Sequence, residues 1–257
     1  MDGPITGATV FACLFTAAVA GVLVHARLPG RMLPQGTGDV VRRGVGMVAA
    51  MAALLVAMMT VSLKTSFDSA DRDVKRFSAQ LIELDRTLRR AGPDAAPARE
   101  LLFRYTARAM KDIWPESRVR VDVTDKAATP LLDRLEDAVV TLRTTDPERQ
   151  MLVAEARRIL QDITESRWAM EAHSGGSLSP WLIAVVGFWL VLTFGTFGLS
   201  APLGGIGSNT VVISSLFLCA VAVGGAMFLL QEYDYPFRGI IMVSHEPLQN
   251  ALFVMGE

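Results

Sequence analysis

The sequence predicts an all-α integral membrane protein: four transmembrane helices, with an extramembrane helical bundle between the second and the third. Three observations predict it. Charge is segregated, for of 25 Lys+Arg and 26 Asp+Glu, 20 of each lie between Lys64 and Glu171. The stretches on either side are nearly free of charge, and the 257-residue chain as a whole is 51% hydrophobic with a mean hydropathy of +0.35. A helical repeat then runs through the charged middle, Phe77, Leu81, Leu84 and Leu88 at spacings of four, three and four. Such a composition excludes both a disordered chain and one made entirely of membrane. The expected organisation is residues 1–63 for the first two spans, 64–177 for the bundle, 178–231 for the last two spans, and 232–257 for a C-terminal tail.

Each span follows from the roughly 20 apolar residues that crossing a bilayer requires. The first covers residues 4–25; a cleaved signal peptide is the rival reading, and Asp2 without any preceding Lys or Arg argues against it. The second covers residues 44–63 and the third residues 180–199, the latter with Pro180 in its first turn. The fourth covers residues 211–231. An even number of spans places both ends of the chain on one side. Arg27, Arg31, Arg42 and Arg43 against Asp39 alone put the first loop in the cytoplasm by the positive-inside rule, and the bundle outside. Lys64, Arg72, Lys75 and Arg76 beyond span two pull the other way. The expected location is a bacterial inner (plasma) membrane, multi-pass, with a periplasmic bundle.

In the middle, no Gly or Pro interrupts the chain between Gly46 and Gly92, so span two is expected to leave the membrane as one helix ending near Ala91–Gly92–Pro93. Its outer part would be about 40 Å long at 1.5 Å per residue. A second helix starts between Asp94 and Pro97, carries Leu101, Leu102, Tyr105 and Ala109, and stops at Trp114–Pro115. Val119, Val121 and Val123 alternate with polar residues and are expected to form an extended linker. Thr129–Pro130 opens a third helix with Leu131, Leu135, Val139 and Leu142. Asp146–Pro147, an N-cap followed by Pro, opens a fourth with Leu152, Ala156, Ile159 and Ile163, running to His173. Their narrow apolar stripes require bundling. In the tail, Ser244 and Pro247 start a short helix that lies on the membrane surface or against the bundle.

Little in the chain points to catalysis. His25, His173 and His245 are far apart, Cys13 and Cys219 fall in apolar runs, and no metal-binding or nucleophile motif occurs. Gly204–Gly205–Ile206–Gly207 lacks the Lys of a phosphate loop and reads as a turn between two spans. No enzyme, cofactor or metal is expected, and the balanced charge offers no face for nucleic acid. The Met-rich run of span two, Met47 to Met59, reads as apolar filler. Small residues at four-residue spacing, Ala17/Gly21 and Ala220/Gly224, would let helices approach closely. Glu232 and Asp234 follow span four directly; carboxylates at that boundary either form a cation-selecting ring in an oligomer or end the span, hydrated or paired with Arg238. On span one the best candidates for a polar stripe are Thr6, Thr9 and Thr16.

Several stretches resemble a bacterial bestrophin-like family. They are Leu84–Asp85–Arg86–Thr87–Leu88–Arg89–Arg90–Ala91–Gly92–Pro93 with Ala98–Arg99, Phe188–Trp189–Leu190, and Phe197–Gly198–Leu199–Ser200–Ala201–Pro202. The exit from span four matches best: Glu232–Tyr233–Asp234–Tyr235–Pro236–Phe237–Arg238–Gly239, then Val243–Ser244, Pro247–Leu248 and Ala251–Leu252. The family more often has Leu and a polar residue where Tyr233 and Tyr235 stand, and Asn soon after the Ala–Pro. The resemblance spans the chain from the second membrane run to the tail. It implies a four-span membrane protein with a helical insert; taken with the lack of catalytic residues and the long helix leaving span two, it motivates the expectation of an oligomeric pore for inorganic ions. Thr16, Glu232 and Asp234 are then the pore or boundary candidates, and Pro236, Phe237, Gly239, Ser244 and Pro247 the motif. The alternative is a membrane-anchored sensor or scaffold whose bundle binds a partner protein. The expected partners are membrane lipid, further copies of the chain and ions.

Overall fold

The computed structural model describes residues 3–27, 35–114, 128–142, 144–173, 175–176, 178–201 and 206–256. Every regular element among them is helical: α1 (Gly3–Arg27), α2 (Gln35–Ala91), a 3-10 turn (Pro93–Ala95), α3 (Ala96–Ile113), α4 (Thr129–Thr141), α5 (Pro147–His173), α6 (Pro180–Leu199), α7 (Ile206–Asp234) and α8 (Glu246–Gly256). Four are long and apolar enough to cross a membrane, α1, α2, α6 and α7. The chain divides into two compact units, residues 1–66 with 176–234, and residues 67–175 with 235–257. The all-α class with four spans and a helical insert is thereby established. The extended linker at Val119–Val123 and the two glycines Gly204 and Gly205 lie outside the described residues.

The membrane unit packs α1 against both α6 and α7, and backbone proximity is what makes this possible. A Cβ on Gly198 would overlap the Ala18 carbonyl, and one on Gly21 the Gly195 carbonyl. On the other side, a Cβ on Gly7 would sit 2.8 Å from the Cβ of Phe228 and 3.2 Å from the Gly224 carbonyl. Helices in lipid gain no hydrophobic drive toward one another, so small residues that admit close van der Waals contact decide which faces pair. Leu14, Ala18, Phe194 and Ala220 fill one cluster, and Met59, Leu63, Val186, Met227 and Leu230 a second that includes α2. Phe11, Phe15 and Phe217 meet edge to face at 5.4 and 5.6 Å.

The second span agrees with its expected start near Gly44, while the helix that carries it begins earlier, at Gln35, directly after Pro34. One boundary differs from the sequence reading. Ile206 and Gly207, expected in a turn, form the first residues of α7.

The second unit is built on the outer part of α2. Phe77, Leu81, Leu84 and Leu88 are fully buried, facing Ala98, Leu102, Tyr105 and Ala109 of α3. The chain reverses at Gly92, whose φ of 112° falls where a side chain is strained. Leu132, Leu135 and Val139 of α4 and Val153, Ala156, Ile159 and Ile163 of α5 complete the core. Asp146 caps α5 by accepting the Glu148 N–H at 3.1 Å. Asp112 accepts the Ala128 N–H at 3.1 Å and so fixes where α4 begins relative to the end of α3. Residues 235–257 belong to this unit: α8 buries Leu248, Ala251 and Met255. Of the two placements expected for the tail helix, α8 takes the one against the bundle.

Candidate pore and membrane-boundary site

Four spans meet in the membrane unit where α7 ends, and the meeting is polar. Glu232 is only 3% exposed, with its carboxylate against Gly3 at the start of α1, where any side chain larger than hydrogen would displace it. Asp234, 5% exposed, accepts the Leu178 N–H at 3.1 Å. Leu178 lies two residues before α6, whose N-cap Ser179 makes no capping hydrogen bond of its own, so the carboxylate supplies an acceptor at that end. The Lys64 ammonium of α2 lies 5.9 Å from the centre of the Tyr233 ring. Both acids therefore turn inward within one protomer. Their burial speaks against the alternative in which the two acids are simply hydrated, and Arg238 is exposed.

The threonines of α1 separate. Thr6 Oγ1 is buried without a hydrogen-bond partner, Thr9 is exposed and donates to the Ile5 carbonyl at 2.7 Å, and Thr16 is exposed. Thr16 thus stands on the outer surface of the protomer, on the face α1 turns away from Leu14 and Ala18.

The helix with the most uncovered surface is α2. Only 11% of its apolar window is buried, against 22% for α1 and α6 and 17% for α7. Ala52, Met59 and Leu63 form its one buried stripe, while Met47, Met51, Leu54, Met58 and Val61 are exposed. No charge interrupts residues 44–63, which Arg43 and Lys64 bracket. Past residue 63 the same helix runs on as the core helix of the second unit, where its buried face carries Ala70, Val74, Phe77 and Leu81.

In the second unit the motif residues carry structure. Asp85, 2% exposed, holds Arg99 of α3 at 2.8 Å and Arg89 at 3.2 Å, pinning the α2–α3 hairpin on either side of Gly92. The tail folds on Trp114: its Nε1–H donates to the Val243 carbonyl at 2.9 Å, and its ring meets Phe237 edge to face at 5.8 Å. Pro236 accepts the Val243 N–H at 2.8 Å, Gly239 has a φ of 109°, and Ser244 Oγ accepts the Glu246 N–H at 3.2 Å. Ser78 donates to the Pro247 carbonyl. Sequence reasoning saw Trp114 only as a helix stop; its neighbour Pro115 masked its role as the tail's anchor. Deeper in the core, Arg167 donates to the Tyr105 hydroxyl at 3.4 Å and Ser166 to Gln80 at 2.8 Å. Burial pushes the Tyr105 hydroxyl above its ordinary range, with Arg167 opposing the shift.

Among the described residues no group of three or more His, Cys, Asp or Glu side chains is placed to hold a metal ion. A family model for the bestrophin-like domain matches residues 12–248. Among solved structures, a bacterial bestrophin homologue from Klebsiella pneumoniae, in a single-residue variant, is 10% identical with a TM-score of 0.67, covering 98% of this chain and 99% of that one. A second variant of that homologue is 14% identical with a TM-score of 0.63, covering 97% and 98%. A structure described as a membrane protein gives 10% identity and a TM-score of 0.69, covering 95% and 97%. No curated protein sequence matches.

Proposed function

The chain belongs to the bestrophin-like family, and from that premise we propose that it is one subunit of an oligomeric ion channel whose pore is lined by α2. The observation that carries the proposal is the uncovered, charge-free face of α2 across residues 44–63, continuous with the core helix of the second unit. A four-span subunit encloses no pore alone. Several copies around an axis would bring Met47, Leu54, Met58 and Val61 together as an apolar constriction, where wetting of the lumen controls conduction. Arg43 and Lys64 would mark its two ends.

The burial of Glu232 and Asp234 supports a different part for them than a selectivity ring: they hold the start of α1 and the residues leading into α6, and so fix how the spans stand at the boundary. Thr16 remains a candidate at the subunit surface. The test is single-channel recording of Leu54→Asn, Thr16→Leu and Glu232→Gln in planar bilayers. The proposal expects Leu54→Asn to raise open probability by wetting the constriction, and Glu232→Gln to leave ion selectivity unchanged. Unaltered currents from Leu54→Asn would remove α2 from the pore.

In this reading the protein sits in a bacterial inner membrane. The arginines at positions 27, 31, 42 and 43 support an inward first loop and an outward bundle, against Lys64, Arg72, Lys75 and Arg76. A single cysteine replacing exposed Arg90, in a background lacking Cys13 and Cys219, decides it. Labelling from outside intact spheroplasts is expected, and labelling only after lysis would invert the topology.

A further inference from the structure

We propose that residues 235–242, the turn between α7 and α8, lie in the lipid headgroup region. Tyr235 follows the last residue of a membrane span. The turn is closed and defined: Arg238 donates its N–H to the Tyr235 carbonyl at 3.1 Å, Val243 donates to Pro236 at 2.8 Å, and Gly239 takes a φ of 109°. A turn so constrained has to point some side chains outward, and three of the four it presents are largely apolar. Ile240 is 67% exposed, Met242 50% and Tyr235 36%, with the Arg238 guanidinium exposed among them. Meanwhile Phe237 and Val243 face the other way, onto Trp114.

The position of Trp114 fixes which end of the unit this turn occupies. Phe77 of α2 meets Tyr105 of α3 at 6.4 Å in an antiparallel hairpin. Counting nine residues on along α3 and ten back along α2 brings Trp114 about level with Phe67, where α2 enters the unit. Phe67 is only four residues beyond Leu63, the end of the charge-free stretch, a rise of about 6 Å along the helix. The exposed turn thus follows a membrane span directly in the chain, and through Trp114 it packs at the end of its own unit where α2 enters. Aliphatic side chains with an aromatic and a cation at their edge suit the boundary of acyl chains and headgroup phosphates. Within the membrane unit, Trp181 in the first turn of α6 is 81% exposed, three residues past Leu178, whose N–H Asp234 at the end of α7 accepts.

This inference rests on α7 spanning the membrane and not on conduction, so it stands or falls separately from the channel. The full chain, with Cys13→Ala and Cys219→Ala, is reconstituted in liposomes and spin-labelled singly through Ile240→Cys, Met242→Cys or Arg90→Cys. Collision with oxygen, which concentrates in lipid, is compared with collision with a water-soluble nickel chelate. The expected result is oxygen exceeding nickel chelate at both 240 and 242, with the reverse at 90. A water-like pattern at 240 and 242 overturns the proposal. Protection from both reagents there also overturns it, because the turn would then be covered by protein, a second copy being the first candidate. Two labelled sites guard against one substitution that fails to fold.

Discussion

Tyr105, Asp85 and Trp114 each perform a task that their residue types alone do not announce. The buried Tyr105 hydroxyl has a pKa raised above the usual 10.0, chiefly because burial disfavours the phenolate. Its sign follows from linkage: the folded state keeps a proton that the unfolded chain releases, so stability is unaffected below about pH 10 and falls as pH rises above it. Tyr105→Phe is expected to flatten that alkaline decline while costing about 1 kcal/mol at neutral pH for the lost hydrogen bond, measured by unfolding of the full chain at pH 7 and pH 10.5. Asp85→Ala leaves Arg99 and Arg89 facing a buried gap. Both arginines are partly exposed, so the expected loss is about 2 kcal/mol, less than for a fully buried pair. Asp85 and Arg99 both stand in the motif read from the sequence, but their pairing could not be read there, because it depends on the reversal at Gly92. Glu232 and Asp234 were likewise visible as acids at a boundary. Their burial was not, since Glu232 lies against Gly3 on another span and Asp234 accepts from Leu178 ahead of a third.

At the scale of the element, periodicity told most of the story. Phe77, Leu81, Leu84 and Leu88 read as a seam and are fully buried, and the uninterrupted stretch after Gly46 is indeed one helix to Ala91. Leu152 of α5 gave way to Val153 as the more buried residue, a shift of one position that a stripe about 100° wide cannot resolve. What a stripe never states is its partner. The α8 stripe fitted a membrane surface or a bundle equally, and Trp114 and Ser78 decide it. Glycines in the spans show the same gap between pattern and place. Gly198 abuts the Ala18 carbonyl, whereas Gly187 on the same helix has nothing within 4 Å of a Cβ. Gly198→Ala is therefore expected to lower the thermal unfolding midpoint of the protein in detergent by several degrees, and Gly187→Ala to leave it unchanged or slightly higher. Equal effects from the two would contradict the close α1–α6 approach.

For the whole molecule, the family assignment and the four-span, helical-insert architecture agree along the chain from residue 12 to residue 248. The segregation of charge made the two materials of the chain plain, and the apolar runs made the spans plain. The proposed pore was not legible in the same way, because it rests on which span of a folded protomer stays least covered, and among the described residues that is α2. The central claim is that copies of this chain surround an ion pathway along α2. Its most direct test is the conductance of the purified protein in planar bilayers, with the mass of the oligomer determined on the same preparation. The account predicts discrete, ion-selective currents from an oligomer of defined mass, with larger open probability in Leu54→Asn. A well-behaved oligomer that stays silent across pH, voltage and calcium, in both wild type and Leu54→Asn, would contradict it and turn attention to a protein bound by the helical bundle.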